Sequence, residues 1–313
     1  MTQKFTLLIF TLLAIFGIVL IALVSKDNTI NRLPTTQKED LIQVTTSFYP
    51  LYFFAQTIGG SESEVRSITP PGAEPHDFEP TAKDIARLHD SDIIILNGGN
   101  FEPWGEDIIS ELGGTQTRIL TVGESLMTEE YTDEEGDKIT DPHIWLDPVL
   151  TKQQVEKIAN ALADVDPIHA SLYTTNAEQL KQSLDELDEK FRTGLMNCVQ
   201  KTFVTSHAAF GYLAKRYALT QLPITGLSPE AEPSPQTLVE ITSFVKKNKI
   251  NTIFFESLVS PKLSETIARE VGATTNVLNP IEGLTGEELE NKKNYFTEME
   301  TNLNNLRIAL QCQ

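Results

Sequence analysis

Three of the chain's five histidines stand where an imidazole can hold a metal ion. His143 lies in Asp141-Pro142-His143-Ile144-Trp145-Leu146-Asp147-Pro148, between two Asp/Pro corners. Each proline fixes its own φ and pushes the residue before it out of the helical region. The backbone around this ring is therefore extended and stiff before any tertiary contact forms, which suits a ligand. His76 lies in a second proline-pinned run, Pro71 to Pro80, and His207 in Thr205-Ser206-His207-Ala208, at an expected strand end. A lone histidine is often buried without binding anything. Three in like settings, far apart in sequence, point instead to neutral imidazoles gathered on a zinc-like ion.

The chain that must position them has 313 residues, enough for two ordinary domains, with a globular balance of 40% hydrophobic and 22% charged residues. Its net charge of −19 repels phosphate backbones and argues against nucleic-acid binding. The two cysteines, Cys198 and Cys312, lack the CxxC spacing of zinc or redox motifs. Outside the cytosol they are expected to pair as a disulfide; the alternative is two buried free thiols. Phe5 to Val24 is an almost wholly apolar run flanked by Lys4 and Lys26, long enough to span a bilayer. It reads as an uncleaved anchor, with a cleaved signal segment as the alternative. Either places the body of the protein outside the cytoplasm. Asp27 to Asp40 reads as a polar tether.

From residue 41 strands alternate with helices, which predicts parallel α/β sheets. Expected strands are 42–46, 64–68, 92–96, 119–122, 203–205, 222–225, 252–255 and 276–278. Helices are expected over 81–88, after Pro148, over 208–217, from Pro235, over 261–271 and up to about Leu310. The run through Leu172, Leu180, Leu184, Leu187 and Phe191, if continuous to Leu195, is a rod of about 40 Å joining two lobes. The expected organisation is an anchor over 1–25, a tether over 26–40, an N-terminal lobe over 41–165, a linker helix over 166–196 and a C-terminal lobe over 197–313. The acidic segment Glu129 to Thr140 is expected to be a solvated loop, and it lacks the ligand spacing of an EF-hand. Ligands gather where parallel strands end, which is where His207, Glu256 and the 279–282 turn fall.

At this point the residues resemble a family. Phe48-Tyr49-Pro50-Leu51, Pro71 to Pro80, Asn97-Gly98-Gly99 with Glu102 and Trp104, Asp141 to Pro148, Thr205 to Phe210 and Pro229 to Pro233 occur together and in order. They are similar to the metal-binding, cluster A-I substrate-binding proteins of ABC importers, over about residues 41 to 312. The resemblance implies two α/β lobes joined by one long helix, a monomer, and delivery of a divalent ion to a permease and its ATPase. It implies His76, His143 and His207 as ligands. Many members place an Asp before the last proline, where this chain has Asn279; other zinc-type members resemble Asn279-Pro280-Ile281-Glu282, so Glu282 is assigned as fourth ligand, with Glu256 and Glu74 as alternatives. His89 and His169 match no ligand position and are expected at the surface. Three nitrogens and one carboxylate favour Zn²⁺; a Glu in place of His207 would favour Mn²⁺. Zinc-type relatives often carry a histidine-rich loop, and the loop here is acidic. A zinc hydrolase is the competing class, but it would need an open metal position and a general base of the HExxH kind, which is absent. A surface adhesin is a third reading.

Overall fold

The shortest apolar runs become the most deeply buried strands. β1 (Ile42–Thr46), β2 (Ser63–Ser67), β3 (Ile93–Leu96) and β4 (Arg118–Thr121) form a parallel sheet in the order β2-β1-β3-β4. All four side chains of β3, Ile-Ile-Ile-Leu, are buried, as expected for a central parallel strand covered on both faces. Between these strands run α1 (Tyr49–Gly59), α2 (Ala82–His89) and α3 (Gly105–Leu112). Pro50 opens α1, where a missing N–H costs nothing. Thr81 and Asp84 cap α2 reciprocally. This computed structural model describes residues 41–133 and 136–313; the expected anchor and tether, 1–25 and 26–40, lie outside them. Among the described residues no helix is long and apolar enough to cross a membrane.

The acidic segment is not the loop expected of it. β5 (Glu130–Thr132) and β6 (Lys138–Thr140) pair antiparallel, Tyr131 opposite Ile139. The turn is drawn in by Asp133, whose carboxylate accepts the Asp137 N–H at 2.8 Å, and by Gly136 at φ +92°.

α4 (Pro148–Val165) starts on Asp147, whose carboxylate accepts the Val149 N–H at 2.8 Å. α5 (Ala170–Leu195) then runs unbroken for 26 residues, about 39 Å. Tyr173, Ala177, Leu180, Leu184, Leu187, Phe191 and Leu195 line its buried face, at spacings of three and four. That stripe belongs to one continuous core reaching from Val44 and Phe54 to Phe203, Tyr295 and Leu306. The rod is thus packed into both lobes along its length.

The second sheet repeats the first: β7 (Thr202–Thr205), β8 (Thr220–Pro223), β9 (Thr252–Phe255) and β10 (Thr274–Val277), all parallel, in the order β10-β9-β7-β8. Its helices are α6 (Gly211–Arg216), α7 (Pro235–Asn248), α8 (Lys262–Val271), α9 (Gly286–Glu290) and α10 (Tyr295–Ala309). β8 and β10 each begin two residues earlier than expected. Their register is set by pairing with β7 and β9, not by where their most apolar residues fall. α6 starts three residues later than expected, because Ser206 to Phe210 form the turn that carries His207. The Cys198–Cys312 disulfide closes the C-terminal tail onto the end of α5.

Candidate metal centre

Each side chain of the expected set is delivered by a braced turn. His76 sits in a single 3₁₀ turn, Pro75–Asp77, whose first residue is fixed by proline; the Glu74 carboxylate accepts the His76 N–H at 3.2 Å. The His76 ring meets Phe101 edge-on at 4.6 Å between centroids. His143 precedes a second such turn, Ile144–Leu146, and the residue before it is anchored: Asn97 Nδ2 donates to the Pro142 carbonyl at 3.0 Å. Under the His143 ring lies Trp145, whose Nε1 donates to the Pro280 carbonyl at 2.7 Å, tying this turn to the 279–282 turn of the other lobe. His207 follows β7, and its carbonyl accepts from Thr205 Oγ1 and Gln221 Nε2, both at 2.8 Å. Glu282 follows Ile281, which holds φ +61°, a conformation a β-branched residue adopts only when its surroundings force it. Here the Asn279 side-chain oxygen accepts the Ile281 N–H at 2.8 Å, while Asn302 bonds both backbone groups of Asn279.

These turns bring His76, His143, His207 and Glu282 together, one ligating atom from each lying within 4.8 Å of the others. His143 and His207 are fully buried, Glu282 is 1% exposed and the His76 side chain 10%. The two central rings are oriented from behind. Asp141 Oδ1 lies 2.8 Å from His143 Nδ1, and Glu256 Oε1 lies 2.6 Å from His207 Nδ1. Each carboxylate takes an Nδ1–H, which leaves Nε2 as a bare lone pair facing inward. The two Nε2 atoms are 3.4 Å apart. Glu282 Oε1 lies 3.3 Å from Nε2 of His143, 3.4 Å from that of His207 and 3.6 Å from that of His76.

Those spacings carry the chemistry. Lone pairs converging at 3.3–3.6 Å repel one another. A tetrahedron with metal–ligand bonds of about 2.0–2.1 Å has edges of about 3.3–3.4 Å, so a zinc ion at the centre would turn the repulsion into coordination. His76 Nε2 and both Glu282 oxygens are buried without a hydrogen-bond partner, the signature of groups that answer to something other than protein. Electrostatics agree. Burial opposes charge on Glu282, but His207 and His76 hold its carboxyl well below the usual range. Burial likewise works against protonating His143 and His207, yet Asp141 and Glu282 raise the first ring, and Glu256 and Glu282 raise the second well above its ordinary value. Burial pushes the His76 ring down. Glu74, buried and close to the Glu282 charge, is pushed up to about 9.

The remaining acids and amides fall outside this cluster. Glu256 faces the far nitrogen of His207, and Glu74 Oε1 serves the His76 backbone. Asn279 is turned away: its Nδ2 donates to buried Glu298 at 3.3 Å, and a carboxylate there would face another carboxylate. His89 is exposed beside Glu111, while His169 is only half-buried, against Asp166. Sequence reasoning missed the orienting role of Asp141 and the Phe101 contact; the Asp141-x-His143 spacing was the available signal for the first.

Two parallel α/β lobes on a rigid helix, with three histidines and a glutamate from both lobes facing inward at their junction, define a metal-capturing substrate-binding protein. The comparisons with known proteins agree. The chain belongs to the family described as "ZnuA: Zinc-uptake complex component A periplasmic", whose model matches residues 44–309. It is 36% identical over 283 residues to the high-affinity zinc uptake system protein ZnuA of Bacillus subtilis, covering 87% of this chain and 89% of that one. It is 38% identical over 281 residues to the zinc-binding lipoprotein AdcA of Streptococcus pneumoniae, covering 87% of this chain but 56% of the longer relative. The Zn(II)-bound ZnuA-like domain of that AdcA superposes with a TM-score of 0.75 at 38% identity, covering 86% of this chain and 99% of the domain.

Proposed function

We propose that this chain captures a single Zn²⁺ between its lobes, on His76, His143, His207 and Glu282, and hands it to an ABC-type permease and its ATPase outside the cytoplasm. The observation that supports this most is the convergence of three ring nitrogens and one carboxylate oxygen within 4.8 Å of one another, with Glu282 Oε1 3.3–3.6 Å from all three Nε2 atoms. The third imidazole favours zinc over manganese, a harder ion that prefers oxygen. The chain works as a binder and not as an enzyme. Glu282 closes the fourth position, so no water is left to be activated, and Asp141 and Glu256 are engaged by ring N–H groups. Phe5–Val24 serves as the membrane tether, 41–165, 166–196 and 197–313 are the two lobes and their linker, and the protein acts as a monomer. Metal analysis of the native protein tests the reading, with zinc expected at one ion per chain and lost in His143→Ala; unchanged zinc in that variant rules the site out.

A further inference from the structure

One buried hydroxyl joins the lobes beside the site without touching a ligand. Tyr212 is on α6 of the second lobe and is 3% exposed. Its Oη donates to the Asp141 carbonyl at 3.0 Å and accepts the backbone N–H groups of Thr128 at 3.0 Å and Glu129 at 3.2 Å. All three partners belong to the first lobe. Asp141 is the residue whose carboxylate accepts from both the backbone N–H and Nδ1 of His143. Thr128 and Glu129 lead into β5, and Glu129 also pairs with Lys215 of α6. The Tyr212 ring packs with Ile144 and Leu126, also of the first lobe, so ring and hydroxyl both reach across the junction.

We infer that Tyr212 is a positioning residue that latches the lobes and thereby sets how long the bound ion stays. Its three hydrogen bonds exist only while the lobes are together. An ion held by ligands from both lobes leaves when they part, so the latch opposes release. It does not oppose capture, because an ion entering between parted lobes arrives before the latch forms. Removing the hydroxyl leaves two backbone N–H groups and one carbonyl unmatched in the closed form but free to meet water in the open one. The cost therefore falls on the closed state and appears in the dissociation rate. This rests on the proposed zinc-binding function.

The test uses the full chain loaded with zinc and a chromophoric chelator in excess. Tyr212→Phe is expected to release zinc about 5- to 30-fold faster, from the loss of one to two hydrogen bonds' worth of net stabilisation. Its association rate is expected to stay within about twofold, as is common when only the bound complex is perturbed. Tyr217→Phe is the comparison. That residue, five positions on, is also buried, but its hydroxyl bonds Asp188 of α5. Tyr217→Phe is expected to lower thermal stability and leave the release rate alone. Unchanged release from Tyr212→Phe, or an equal rise in both variants, overturns the latch. Wild-type protein that takes up no zinc overturns the function on which the inference rests.

Discussion

Replacing Glu256 by Gln removes a charge two bonds' reach behind the metal centre and changes no ligand. Glu256 Oε1 accepts from His207 Nδ1 at 2.6 Å and also from the Ser206 hydroxyl. It fixes the tautomer in which Nε2 is a lone pair, 3.4 Å from Glu282 Oε1. A glutamine fills the same space but can offer its NH₂ to Nδ1, which would place a proton on Nε2, aimed at the ion. Loss of such an orienting partner typically costs about 10- to 100-fold in metal affinity, or about 1.4–2.7 kcal/mol. The structure adds a pH signature. The Glu256 and Glu282 carboxylates hold the His207 ring well above its ordinary pKa, so in the wild type zinc must displace a proton as the medium turns acid. Glu256→Gln lowers that proton affinity. Its deficit is therefore larger at an alkaline pH than at an acidic one, where the wild-type ring holds its proton more tightly than the variant's and zinc must displace it. Competition against a chromophoric chelator at both pH values measures this. Equal affinity of the two proteins at the higher pH, or a deficit that widens in acid, would refute the reasoning.

Asn279→Asp is expected to lower stability by about 1–3 kcal/mol, because it replaces the donor to buried Glu298 with a second carboxylate. Facing buried carboxylates repel when both are charged, so the deficit deepens as pH rises and eases in acid, as thermal denaturation at two pH values will show; zinc affinity does not improve. Cys198→Ser opens a loop of 114 residues and is expected to cost about 2–5 kcal/mol in urea denaturation, with zinc affinity unchanged, since the bridge lies at the far end of α5. Zinc at a hundred times its dissociation constant is expected to stabilise the wild type by about 2.7 kcal/mol. The Asp141, Glu256 and Glu282 carboxylates favour protons on His143 and His207, so this gain should fall as pH drops below neutrality, by calorimetry.

What could be read from the sequence follows from how locally each feature is determined. Proline fixes its own φ, so the turns that present His76 and His143 are set by neighbours one or two residues away, and both were legible. The rod over 170–195 was legible because its apolar residues recur at helical spacing without interruption. The antiparallel hairpin at 130–140 was not, because its acidic residues outweigh the short Glu130-Tyr131-Thr132 and Lys138-Ile139-Thr140 strands until the two are paired. The Ile281 backbone was equally hidden. Nothing in Asn279-Pro280-Ile281-Glu282 announces a positive φ at isoleucine, which is imposed by Asn279 and by Asn302, 23 residues away from it. Asn279 itself looked like a weakened ligand; it is a turn brace that needs an amide because Glu298 lies against it.

Zinc K-edge X-ray absorption of the loaded protein in solution measures the centre most directly. The geometry predicts a four-coordinate shell of nitrogen and oxygen at about 2.0–2.1 Å, with outer-shell scattering from three imidazoles. A six-coordinate oxygen-rich shell, or imidazole scattering from fewer than three rings, would contradict it.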